Sequence, residues 1–216
     1  MKVITKIAAV ALMAIAATAH AQQPRKEFTM ETGKGGIEVK VSLPDFVSDP
    51  VDFSGNPGVA KVNVSANGVS VKGQEAAFVA PLGETGLVDY RVSMIKTDSR
   101  TDTLKSVEMT TKFLKKHGQK FSANDEIETQ YPILPNGDNH TYLVCSQPVF
   151  EQPENKRDCT IIETSVSSDK KQSVVMMATI IEKDVDAYNA NPARYEKAAY
   201  KAFSDMMKNS KVKLLP

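Results

Sequence analysis

Few residues in this chain are of the kinds that carry chemistry. Among 216 residues there are two cysteines, Cys145 and Cys159, and three histidines, His20, His117 and His140. The cysteines flank a charged, turn-rich stretch, Gln152-Pro153-Glu154-Asn155-Lys156. Thr141 to Cys145 and Cys159 to Ser165 both read as strands, so a hairpin folded about Gln152 sets the cysteines opposite each other, within reach of a disulfide. Closing a loop of this size restricts the unfolded chain and contributes roughly 3 kcal/mol. A redox-active pair would instead show C-x-x-C beside a helix start, and that spacing is absent.

The other candidates are weaker. His117 and His140 lack the G-x-S-x-G or equivalent context in which a hydrolase histidine meets its nucleophile. Asp138 with His140 is the one suggestive pair, and turn chemistry beside Asn136-Gly137 accounts for it better than a metal site lacking third and fourth ligands. Gly33-Lys34-Gly35-Gly36 has the composition of a phosphate loop, but a strand follows it rather than Lys-Ser/Thr and a helix. Asp125-Glu126 and Asp184 with Asp186 lack the glycine-punctuated ladder of a calcium loop. Trp is absent and aromatic residues are 6% of the chain, which weakens an aromatic-lined sugar or nucleobase platform. The sequence thus assigns no catalytic, cofactor-binding or metal-ligating residue; Cys145 and Cys159 are its only paired site, as a disulfide.

The first residues set the compartment. Lys2 and Lys6 precede an apolar run from Ile7 to Thr18, and Ala19-His20-Ala21 supplies a small-residue cleavage site. That order reads as a bacterial signal peptide over residues 1–21, cleaved after Ala21, with the product periplasmic or secreted. No Cys stands at the cleavage site to take a lipid, and no later segment approaches membrane-helix length, so no stable membrane insertion is expected. Cleavage removes Lys2 and Lys6 and no acid, turning 27 basic residues into 25 against 26 acidic. Near-neutral charge gives no reason to expect nucleic acid or an anionic membrane as partner. The cluster Lys112, Lys115, Lys116 and Lys120 reads as the solvated face of a helix.

Elements follow from periodicity. Residues 22–36 read as a flexible lead-in and 37–216 as a single domain. Ile37 to Leu43 alternates as a strand that Pro44 stops; the loop to Gly58 follows, with Phe46 and Phe53 free to tuck onto the core. Val62 to Ala66 and Val69 to Val71 flank Asn67-Gly68, a hairpin in which Ala66 faces Val69 and Val64 faces Val71. Ala76–Ala80 and Leu87–Ile95 are two further strands. Leu104, Val107, Thr111 and Leu114 recur at helical spacing after a cap at Asp98 or Ser99. After the cysteine hairpin, the continuous run Val174–Ile181 belongs at the centre of a sheet, with both faces covered. Asn191 and Pro192 open a last helix with an apolar stripe of Tyr195, Ala199, Phe203 and Met206 or Met207. The fold class is α+β: an antiparallel sheet flanked by helices, including a C-terminal helix packed on the sheet.

This order, with the strand end Val41-Ser42-Leu43-Pro44 and a closing helix that runs into Asn209-Ser210-Lys211-Val212, resembles the Mog1/PsbP-like domains over roughly Phe28 to Val212. The resemblance implies a non-catalytic module that binds or helps assemble another protein, and it carries no site residue across. The leading expectation is an exported binding or assembly module acting on a protein partner in the bacterial cell envelope, without a cofactor. The alternatives are a carrier of a small apolar ligand, in which Met94, Met109, Met176, Met177, Met206 and Met207 line a cavity, and a hydrolase with an unrecognised active site. A deep apolar pocket would favour the carrier. A cleft gathering displaced titratable groups would favour the hydrolase, and an exposed apolar patch or open sheet edge the binding module.

Overall fold

A computed structural model describes residues 24–66, 69–98, 119–120, 133–145 and 157–216. These form ten strands in two sheets, plus two helices. The strands are β1 (Arg25–Glu31), β2 (Ile37–Pro44), β3 (Ala60–Ala66), β4 (Val69–Leu82), β5 (Gly86–Thr97), β6 (Gln119–Lys120), β7 (Asp138–Cys145), β8 (Arg157–Val166), β9 (Gln172–Glu182) and β10 (Lys211–Leu214). The helices are α1 (Val185–Ala190) and α2 (Pro192–Asn209). The larger sheet has seven antiparallel strands in the order β3-β4-β5-β9-β8-β7-β6, and the smaller is β1-β2-β10.

Strand β9 carries the run Val174–Ile181 and lies at the centre of the large sheet, where a continuous apolar sequence belongs. Alternation sends Val174, Met176, Ala178 and Ile180 into the main core, where they meet Val88, Tyr90, Val92 and Met94 of β5 and Cys159 and Ile161 of β8. Over this face lie α2, packed against β8, β9 and β2, and the small sheet, which contributes Met30, Ile37, Val39, Val41 and Leu43. Phe28 of β1 meets Phe78 of β4, ring centroids 4.7 Å apart. On the opposite face, Tyr142, Val144, Ile162 and Met177 form a second buried cluster. The methionines of the described elements fill the core: Met94, Met176, Met177, Met206 and Met207 are all buried.

Several sequence expectations are revised. The lead-in is structured: Arg25–Glu31 pairs with β2 in full register, from Arg25 opposite Pro44 to Glu31 opposite Glu38. Its apolar residues, Phe28 and Met30, are two apart and were too few to announce a strand. The second hairpin strand and Ala76–Ala80 are one 14-residue strand, β4, continuous through Gly73 and Gln74. The β3–β4 register sets Ala66 opposite Val69 and Val64 opposite Val71, the pairing expected from the sequence. Phe46 is 53% exposed rather than tucked in, while Phe53 lies under the Arg91 guanidinium, 5.1 Å from its ring centroid. Of the Asn-Ser-Lys-Val string, Asn209 ends α2, Ser210 caps it, and Lys211 and Val212 open β10, antiparallel to β2. The molecule is therefore richer in sheet than a single sheet flanked by helices. The helix expected from Leu104 to Leu114, with Lys112, Lys115, Lys116 and Met109, lies outside the described residues, while Lys120, read with those lysines as part of a helix face, is in strand β6 opposite Tyr142.

Candidate functional site

Cys145 and Cys159 stand directly opposite each other on β7 and β8 and are joined as a disulfide. Two residues along, Leu143 faces Ile161 on the same side of the sheet, the side that α2 covers. Helix α2 starts where the sequence says it should, with Asn191 at the cap position and Pro192 in its first turn, although the Asn191 side chain makes no capping hydrogen bond. Its inner stripe of Tyr195, Ala199, Phe203, Met206 and Met207 is buried. Between α2 and the β7–β8 pair lies an open cleft of about 270 Å³, lined by Leu143, Ile161, Glu196, Lys197 and Tyr200. The floor is apolar, since Ile161 is fully buried and Leu143 half-buried. Glu196 and Lys197 stand exposed at the rim, and Tyr200 is half-buried between rim and floor.

The far side of α2 is locked to the small sheet. Both Asp205 oxygens accept from the Arg25 guanidinium, at 3.0 and 3.1 Å, and the Arg25 Nε donates to Ser42 Oγ at 2.9 Å. Beneath this pair the Tyr90 hydroxyl is pushed up to about 12, by burial first and then by the Asp205 charge, with Arg25 opposing. At the base of the helix pair, Tyr195 donates to Glu182 Oε2 at 3.1 Å and stacks on Tyr188, centroids 4.7 Å apart. The cleft thus sits between two fixtures, the disulfide on its strand side and an anchored helix on the other.

Displaced ionisations lie elsewhere. Burial raises the Asp89 carboxyl, with the Arg91 guanidinium opposing; one Asp89 oxygen takes both Arg91 contacts at 2.9 Å and the other has no partner. Burial brings Asp158 up to about 6. Both side chains are on the sheet face opposite the cleft, as their register with Thr179 and Ile181 dictates. A hydrogen bond from the Asn56 side chain, aided by backbone donors, lowers Asp52, which organises the loop after β2.

The residues singled out in the sequence are scattered. Asp138 and His140 pair at 3.0 Å at the start of β7. The Gly33–Gly36 stretch is the β1–β2 turn, where Gly33 (φ +85°) and Gly35 (φ +62°) take backbone conformations that side chains disfavour. Asp184 caps α1, accepting from the Ala187 N–H at 3.0 Å, and Asp186 lies in the first turn of that helix. His117, Asp125 and Glu126 lie outside the described residues. No cluster of three or more His, Cys, Asp or Glu that could hold a metal occurs among the described residues. No helix among them is long and apolar enough to cross a membrane. The cleft residues were missed because Glu196, Lys197 and Tyr200 belong to no motif; the available signal was their place beside the inner stripe, on the edge of α2 that turns toward the strands.

No protein-family model matches the chain, and no curated protein matches it in sequence. Among solved structures it is similar to the crystal structure of LpqN, a protein involved in cell envelope biogenesis of Mycobacterium tuberculosis. Identity is 11% and the TM-score 0.44, over 88% of this chain and 91% of that one. At this level of similarity nothing about that protein's role is carried over.

Proposed function

We propose that the chain is a non-catalytic binding module that engages a protein partner outside the cytoplasm, and that the cleft between α2 and the β7–β8 pair receives part of that partner. The cleft carries the reading. At about 270 Å³ and open to solvent, it lies at the small end of the roughly 300–1,000 Å³ range of pockets that enclose drug-sized ligands. An apolar floor and a polar, exposed rim suit a single inserted side chain. The displaced carboxyls Asp89 and Asp158 do not line it, so it lacks the grouping that would favour a hydrolase. The disulfide supports an oxidising compartment, in keeping with residues 1–21 as a bacterial signal peptide and a periplasmic or secreted product. A Mog1/PsbP-like domain acting as an assembly factor in the cell envelope is the form this proposal takes.

The test is affinity capture from the source cells' envelope fraction with the tagged protein lacking residues 1–21, bound proteins and small molecules both being identified by mass spectrometry. One stoichiometric protein is the expected result. Recovery of the protein alone, or with a small molecule only, would overturn the reading.

A further inference from the structure

The outer face of α2 carries a row of cations. Arg194, Lys197, Lys201 and Lys208 are all exposed. At 3.6 residues per turn they fall within a sector about 60° wide, roughly opposite the buried stripe, and extend over about 21 Å of helix. None of the four makes an ion pair among the described residues. The helix has two acids. Asp205 is turned toward Arg25, and Glu196 lines the cleft. Arg194 lies over the Tyr195 ring, 5.9 Å from its centroid, and Asp205, four residues from Lys201 and three from Lys208, is held by Arg25. Lys197 and Lys201 have no ion-pair partner among the described residues. In a chain of net charge +1 the row is a local concentration that composition hides.

Lys197 belongs to both features, the cation row and the cleft rim. From that juxtaposition we infer that α2 and its cleft form one docking surface for an acidic peptide segment of a partner protein, its carboxylates along Arg194, Lys197, Lys201 and Lys208 and one apolar side chain seated between Leu143, Ile161 and Tyr200. A bilayer fits the surface less well. Membrane-surface helices present an apolar face to the acyl boundary, whereas the apolar face of α2 is buried in the core and the neighbouring apolar feature is concave. A cleft receives a side chain; it inserts nothing into lipid. This inference rests on the binding-module reading and names the partner's chemistry.

The probe is a fluorescent peptide of alternating Glu and Gly with one central Phe. Its Phe→Ala and Glu→Lys counterparts are compared, together with vesicles of phosphatidylcholine with and without phosphatidylglycerol. The protein with Lys197→Glu and Lys201→Glu is set against wild type, and Lys61→Glu with Lys72→Glu, on the far strands β3 and β4, serves as a charge-matched control. All four positions are exposed. The acidic Phe peptide is expected to bind wild type and the control alike, with roughly tenfold loss in the α2 variant and weakening from about 50 to about 300 mM NaCl. The Phe→Ala peptide is expected to bind more weakly, and the Glu→Lys peptide not at all. Peptide binding unchanged by the α2 reversal, or no peptide binding, overturns the inference. Binding only to phosphatidylglycerol vesicles overturns it in favour of lipid. An envelope protein captured equally by wild type and the α2 variant would leave the binding module standing and reject this surface; capture of nothing would reject both.

Discussion

Asp158 sits on β8 beside the disulfide, 4% exposed, and burial, opposed by a backbone hydrogen bond, brings its carboxyl up to about 6. Its folded-state value is thus above that of the unfolded chain, so the protonated form favours the fold. The stabilisation is fully present below about pH 4 and is lost as pH rises through about 6. Asp158→Asn is expected to remove this dependence: near pH 4 variant and wild type unfold at similar urea concentrations, and at pH 7 the variant is more stable by roughly 1–2 kcal/mol, allowing for partial solvent screening. Urea midpoints from pH 4 to 7 decide it, and parallel curves would reject the assignment. Cys145 and Cys159 act through the unfolded chain instead. Replacing both with Ser is expected to cost about 3 kcal/mol, and a reductant should lower the wild-type midpoint to that of the variant while leaving the variant unmoved. This pairing was legible in the sequence because a turn-rich stretch between two strands dictates which residues face each other. The Arg25–Asp205 contact was not, since 180 residues separate its partners and neither belongs to a motif.

Helix α2 and strand β9 were the most legible elements, one through its apolar stripe and opening proline, the other through an uninterrupted apolar run. Both signals are long compared with the period they report. Strands β1 and β10 gave no such signal: seven and four residues, largely polar, are strands because β2 lies between them. Helix α1 is six residues long and was hidden in what reads as a loop; its stability leans on the Asp184 cap and the buried Tyr188. Asp184→Ala is expected to cost about 1 kcal/mol, and Phe203→Ala, which empties a fully buried position on α2, about 3–5 kcal/mol. Chemical denaturation of the two variants orders these costs, and an equal loss at both would mean that the α2 stripe does not anchor the helix to the sheets. The cleft was illegible for a related reason. It lies between α2 and the β7–β8 pair, and how a helix seats on a sheet is set by packing across the whole core rather than by any local string.

In the whole molecule, β2 is a seam. Its neighbours are β1, six residues before it, and β10, which follows only after the large sheet and both helices. Closing a chain loop of roughly 170 residues carries an entropy cost that grows slowly with length but must be met before the β2–β10 contacts repay it. Pulse-labelled hydrogen exchange during refolding is expected to protect amides of β4, β5, β9 and β8 first and those of β10 last. Simultaneous protection would contradict this order. A chain that emerges N-terminus first, from a ribosome or a translocation channel, cannot finish this small sheet until its final strand is free. Until then one edge of β2 stays unpaired, a waiting template that a chaperone or another molecule of the same protein could occupy.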